Sequence, residues 1–210
     1  MKIRTAIIVV LALACAPLVS VAQTAPPPQT YAGSSEGFDN SVTAYGNINF
    51  GGGMFADREK TTSGGIGVSV VFWGRGLFSA EVDFNHNPKF FGTTDDLGNN
   101  KLFTFTGNAI IGPWIAVGNS QRIRPYAVIG GGMMSSSIDN FSAAKWSTTK
   151  TMGVFDIGGG VYYYFTPRFG VRADIRYRTG VGASTSAADG WGLIENWNFM
   201  RGSLGATFAF

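Results

Sequence analysis

Few side chains in this chain of 210 residues could make or break bonds, and the single histidine, His86, is the first to weigh. An imidazole serves as a general base when a hydroxyl or thiol stands within reach. In Phe84-Asn85-His86-Asn87-Pro88 no Ser lies two residues away, and His86 shares the parity of its apolar neighbours. A solvated or interfacial imidazole fits that setting better than a catalytic one. One His and one Cys (Cys15) cannot assemble a zinc site of the His/Cys type. Asp95-Asp96-Leu-Gly-Asn-Asn100 offers oxygen ligands, yet it lacks the twelve-residue spacing and closing Glu of a calcium loop. It reads as a polar hairpin tip. No catalytic residue, cofactor or metal site is therefore expected.

The chemistry the sequence does offer is electrostatic. Phe169, Val171, Ala173, Ile175 and Tyr177 alternate with Gly170, Arg172, Asp174, Arg176 and Arg178. Likewise Phe78, Ala80, Val82 and Phe84 alternate with Ser79, Glu81, Asp83 and Asn85. A period of two is the mark of a strand with one apolar and one polar face. If the polar faces turn inward, they bring Glu81, Asp83, Asp156 and Asp174 together with Arg172, Arg176, Arg178 and Arg201. These are four acids and four bases whose charges cancel. A lone charge in a narrow interior costs several kcal/mol, so a balanced set implies mutual pairing. Arginine suits the task because its planar fork can bridge more than one carboxylate.

Strands are required to hold such faces, and composition favours them. Thirty glycines, with triplets at Gly51 to Gly53, Gly130 to Gly132 and Gly158 to Gly160, weigh against long helices, since each helical Gly costs about 1 kcal/mol relative to Ala. No Gly-Lys-Ser/Thr follows a triplet, so a phosphate-cradling loop is excluded. Glycine on a crowded inner face makes room for Arg and Tyr from other strands. Eight segments are expected near 42–55, 64–73, 77–86, 101–111, 125–134, 151–165, 169–179 and 198–210. Connections near 56–63, 87–100, 135–150 and 180–197 are long or polar. Those at Gly74-Arg75-Gly76 and Thr166-Pro167-Arg168 are tight, and the one at 112–124 is longer than a short-turn end calls for. Long loops at one end and short turns at the other is the layout of an outer-membrane barrel. Two aromatic belts are expected: Trp73, Trp114, Phe165, Phe169, Phe208 and Phe210 at the short-turn end, and Phe50, Phe84, Trp146, Trp191 and Trp197 towards the long loops. Exposed loop aromatics would be Phe90, Phe91, Phe141, Trp146, Trp191 and Trp197.

The amino terminus carries the pattern of an export signal: basic Lys2 and Arg4, an apolar run from Ala6 to Val21, and small residues at Ser20-Val21-Ala22. Residues 1–22 are expected to be a signal peptide, 23–40 a Pro/Ser/Gly-rich periplasmic tail, and 41–210 one barrel domain. The apolar run is too short for a spanning helix, which needs roughly 20 residues. Losing Lys2 and Arg4 lowers the formal charge from +3 to +1, and no Lys/Arg run remains to follow a phosphate backbone. Nucleic acid is thus excluded as a partner.

The last residues, Ser203-Leu-Gly205-Ala-Thr-Phe208-Ala-Phe210, alternate and end on an aromatic, a pattern that resembles the carboxy-terminal signal of bacterial outer-membrane barrels. Gly158 to Arg178 and Arg124 to Gly132 resemble strand-turn-strand and strand segments of small OmpA/OmpX-type barrels. The resemblance covers roughly residues 42–210. It implies an all-β fold, an eight-stranded antiparallel up-and-down transmembrane β-barrel, located in the cell outer membrane. It also implies outer-membrane lipids and lipopolysaccharide as surroundings, and a barrel-assembly machinery that reads Ser203, Gly205, Phe208 and Phe210. The expected function is a non-enzymatic monomer with a plugged, charge-paired lumen and a structural or surface-contact role. Three alternatives stand beside it. One is a narrow transporter of apolar solutes, although the inferred lumen is rich in charge. Another is a lipid A-modifying enzyme, from whose pattern the surroundings of His86 depart. The last is a soluble, exported lipocalin-like binder.

Overall fold

The computed structural model describes residues 40–51, 62–74, 76–90, 99–117, 121–141, 146–181 and 198–210. The expected signal peptide, nearly all of the expected tail, and the tips of the long connections lie outside these residues. The strands are β1 (Asn40–Gly51), β2 (Thr62–Trp73), β3 (Phe78–Pro88), β4 (Asn99–Ile111), β5 (Ile115–Ala116), β6 (Arg122–Phe141), β7 (Trp146–Tyr164), β8 (Phe169–Val181) and β9 (Asn198–Ala209). Eight of them are long, and β5 is a two-residue spur paired with the start of β6. Each long strand pairs antiparallel with its sequence neighbour, β4 with β6 included. The first and last strands, β1 and β9, then pair with each other from Ser41↔Ala209 to Gly51↔Phe199. The sheet therefore closes, which removes the exposed strand edges that an open sheet would present.

Two backbone hydrogen bonds finish the closing seam. The Phe210 N–H donates to the Asn40 carbonyl at 3.0 Å, and the Asn40 N–H donates to the Phe210 carbonyl at 3.2 Å. Side-chain alternation follows the pleat most clearly on β1, β3 and β8. On β8, Gly170, Arg172, Asp174, Arg176 and Arg178 are buried, whereas Phe169, Val171, Ile175 and Tyr177 are exposed. A water-soluble barrel hides its apolar rows and wets its polar ones. Here the order is reversed, as a lipid solvent demands. Glycine accommodates the crowding inside: a methyl on Gly158 would run into the Ile175 carbonyl and lie 2.8 Å from the Arg176 Cα.

The structure corrects three expectations. First, β6 and β7 run on through most of the span 135–150, which had read as a loop. Residues 135–137 and 147–149 are all Ser or Thr, so no apolar alternation betrays the strands. They are held by ladder bonds and by hydroxyl pairs across the hairpin, Ser137 Oγ to Thr149 Oγ1 at 2.7 Å and Thr151 Oγ1 to Ser135 Oγ at 3.2 Å. Second, Trp73 and Trp114 do not join an outer belt. Both pack inside the short-turn mouth against a core of Val71, Ile110, Tyr126, Val128, Tyr162 and Tyr164, with Trp73 edge-on to Trp114 at 5.2 Å. Third, Phe90 is buried, with its ring 5.1 Å from that of Phe199 inside the long-loop mouth. Lys89 adopts φ 55, which turns the chain after Pro88, and its N–H is pinned to the Asn100 carbonyl at 2.7 Å.

Phe165, Phe169 and Phe210 are exposed on the outer face at the short-turn end, where Phe169 and Phe208 lie 5.0 Å apart. Phe50 and Phe84 are exposed on strands that lead to the other end. Phe141 and Trp146 are backbone partners at the far end of the β6–β7 hairpin. Phe91, Trp191 and Trp197 fall outside the described residues.

Candidate functional site: the charged barrel interior

Sheet order places β3 and β8 four strands apart whichever way the barrel is traversed, so they face each other across the interior. Their charges meet in the middle. Glu81 of β3 accepts from Arg172 Nη2 at 2.9 Å through Oε2 and from Arg176 Nη2 at 2.9 Å through Oε1. Asp83 Oδ1 accepts from Arg178 Nη2 at 2.8 Å and from Arg201 Nη1 of β9 at 3.0 Å. Asp156, on β7, accepts from Arg176 Nη1 at 3.2 Å and Arg178 Nη2 at 3.3 Å. Asp174 takes Arg172 Nε at 2.8 Å, with Arg176 at 3.5 Å and Arg201 at 3.9 Å. All eight side chains are at most 1 % exposed.

The pairing resolves a local conflict. Arg176 and Arg201 are direct cross-strand partners, an arrangement that repels when it stands alone. Asp174 lies within 4 Å of both, and Glu81 and Asp83 each add a carboxylate from the opposite wall. Uncharged groups fill the remaining valences. Tyr45 Oη donates to Asp83 Oδ2 at 2.6 Å, and Tyr126 Oη donates to Asp174 Oδ2 at 3.0 Å. Arg172 Nη1 donates to Ser69 Oγ, and Arg178 Nη1 to Thr104 Oγ1, each at 2.7 Å.

Sequence reasoning missed Tyr45 and Tyr126 as members of this cluster, although their signal was present. Tyr45 shares the inward parity of Thr43 and Asn47, and Tyr126 that of Val128. It also missed Arg124, a ninth buried charge. Arg124 lies near the short-turn mouth, where its Nε donates to the Gly112 carbonyl at 3.0 Å and its Nη2 to the Leu77 carbonyl at 2.9 Å.

Of the carboxy-terminal residues, Ser203 Oγ donates to Asp174 Oδ1 at 2.8 Å, and Gly205 packs directly beneath Tyr45. Phe208 and Phe210 face outward with stacked rings 6.5 Å apart. His86 sits on the outer face of β3 between Ile66 and Phe103, its partners across the strands. Among the described residues, no group of three or more His, Cys, Asp or Glu is placed to hold a metal ion. The hairpin tip at 91–98 lies outside them.

A paired interior of this kind holds the walls of the barrel together. Comparisons with known proteins point the same way for the fold. A family described as the outer membrane protein beta-barrel domain matches residues 11–207. Neisserial surface protein A (NspA) is similar in structure, with TM-score 0.58, 16% identity, 81% of this chain and 96% of that one covered. So is Ail, the attachment invasion locus protein of Yersinia pestis, crystallised with the heparin analogue sucrose octasulfate. Its TM-score is 0.53 at 15% identity, over 81% of this chain and 97% of that one. No curated protein sequence matches the chain.

Proposed function

This chain belongs to the outer membrane protein beta-barrel domain family and resides in the outer membrane, and from that premise we propose that it is a closed, non-conducting barrel acting as a structural and surface-contact protein. One observation carries the reading: fully buried charge pairs join β3 to β8 across the full width of the interior. An eight-stranded barrel leaves room inside only for its own side chains. Above the charges, the Phe90–Phe199 pair fills the outer mouth, and below them Trp73 and Trp114 narrow the inner one. Packed in this way among the described residues, the interior would leave ions no water-filled route.

Its work then lies on the surfaces. The apolar outer rows meet lipid acyl chains, and the loops meet lipopolysaccharide and whatever approaches the cell. The β6–β7 hairpin presents a hydroxyl-rich ribbon for such contact. No catalytic group is required. The barrel is proposed to be monomeric, exported through residues 1–22, and inserted by the assembly machinery through Ser203, Gly205, Phe208 and Phe210.

Recordings of the purified, refolded protein in planar bilayers test the reading. Stable large openings should be absent at moderate voltage, and Phe90→Ala alone should not create them, because the charge pairs remain. A steady porin-like current from the wild-type protein would refute the closed interior and favour solute transport.

A further inference from the structure

The outer wall carries two basic side chains that neither the closed interior nor contact with hydrocarbon requires. Among the described strand residues that face outward, only His86 and Lys101 are basic, and both are exposed. Register makes them neighbours. His86 opposes Phe103, and Lys101 opposes Pro88 one pair further along the same two strands. Diagonal positions of this kind lie about 7–8 Å apart, within reach of one shared group for long side chains. On its other side Lys101 opposes Ser137, and Phe103 opposes Ser135. These serines pair with Thr149 and Thr151, and each pair leaves one hydroxyl hydrogen to donate outward. The acidic residue in register with the patch is Asp139, opposite Asn99 and one pair nearer the loop.

The patch stands at headgroup height. From Ile111 to Lys101, β4 climbs about 25 Å at a tilt of roughly 40°, which equals the apolar band of such barrels. Phe84 lies just beneath, its ring 6.4 Å from that of Phe103 and 4.8 Å from that of Phe105. Below His86 the outer face holds an open groove of about 730 Å³. One register row, Leu204, Gly46, Ile66 and His86, crosses it from the middle of β9 to near the long-loop end of β3. Gly46 deepens the groove, because a Cβ there would meet nothing within 4 Å.

A basic, hydroxyl-rich patch joined to an apolar groove is complementary to a molecule with an anionic head and a hydrocarbon chain. The long-loop end of the barrel faces the outer leaflet, whose lipopolysaccharide supplies such a molecule. We infer that the wall at β3 and β4 holds one lipid A by a phosphate. His86 and Lys101 contact that phosphate, and the hydroxyls of Ser135 and Ser137 meet the sugar that bears it. One acyl chain descends in the groove past Ile66 and over Gly46. The inference rests on the surface-contact role proposed above and gives that role a place on the wall, outside the loops.

The chain holds one histidine, so in the untagged, refolded protein the imidazole NMR signals belong to His86 alone. They are followed in an uncharged, phosphate-free detergent while lipid A is added to the micelles. Parallel series use dephosphorylated lipid A, phosphatidylglycerol at matched charge, and inorganic phosphate. Lipid A should move the His86 signals saturably, and the other three should not. Lys101→Met should weaken the lipid A response about tenfold, as loss of one charged contact implies. Gly46→Leu, which has open space to fill, should weaken it as well by blocking the chain. Asp139→Asn should leave it equal or tighter. An equal response to phosphatidylglycerol, to inorganic phosphate or to dephosphorylated lipid A would overturn the site, as would an unmoved His86 or an unaffected Lys101→Met. None of these failures would open the interior, which the bilayer recordings read separately.

Discussion

Glu81→Gln is expected to destabilise the folded barrel by about 3–5 kcal/mol, the cost typical of leaving buried charges uncompensated. Glutamine keeps the shape of the side chain and can still accept a hydrogen bond. It removes the negative charge that faces both Arg172 and Arg176, two side chains at most 1 % exposed. Asp174 and Asp156 would then balance Arg172, Arg176, Arg178 and Arg201 with Asp83 alone for help: three acids against four bases. The measurement is the urea dependence of the folded fraction in lipid vesicles. Arg176→Met placed on top of Glu81→Gln should restore the balance, so the double variant should lose less than the two single losses summed. Additive losses, or a Glu81→Gln cost below about 1 kcal/mol, would show that the pairs across the interior hold nothing.

The second large effect belongs to the outer face. Ile175 lies at the centre of β8 and is 59% exposed, with Gly159 and Gly202 as its partners across the strands. Ile175→Arg is expected to cost about 2–4 kcal/mol, because it places a charge at the middle of the hydrocarbon layer. Val181, at the end of the same strand, supplies the control. Val181→Arg should cost about 0–1 kcal/mol, since a long side chain there reaches the headgroups. Equal costs at the two positions would mean that depth in a membrane does not govern this face.

Alternation made much of the architecture readable from the residues alone. On β3 and β8 the apolar and charged rows differ so sharply that the face of each side chain follows from its parity. The same parity gathers Glu81, Asp83, Asp156, Asp174, Arg172, Arg176, Arg178 and Arg201 on inner faces, and the structure places all eight within one ion-paired cluster. What parity could not supply was reach: that β3 stands opposite β8 is a property of the closed ring, which no local pattern encodes.

The misreadings have equally specific causes. Residues 135–137 and 147–149 are all Ser or Thr, and strands without an amphipathic signal look like loops. Trp73 and Trp114 were assigned by their position near a turn, yet Trp73 shares the parity of Ser69 and Val71, both buried inside. Phe90 follows a reversal at Lys89 that breaks the alternation and carries the ring into the mouth. Arg124 went unnoticed because its partners are two carbonyls and two rings, none of which announces itself as a counter-charge.

The membrane-facing orientation of the apolar rows underlies all of this, and spin labels test it most directly. Single nitroxides at positions 171, 173, 175 and 177 of β8, in the barrel reconstituted into vesicles, are compared for collisions with oxygen dissolved in the bilayer and with a water-borne nickel chelate. Apolar rows turned to lipid give high oxygen and low nickel accessibility at all four, with oxygen strongest near position 175. High nickel accessibility at 171, 173 and 175 would place these residues in water and contradict the barrel's assigned sidedness.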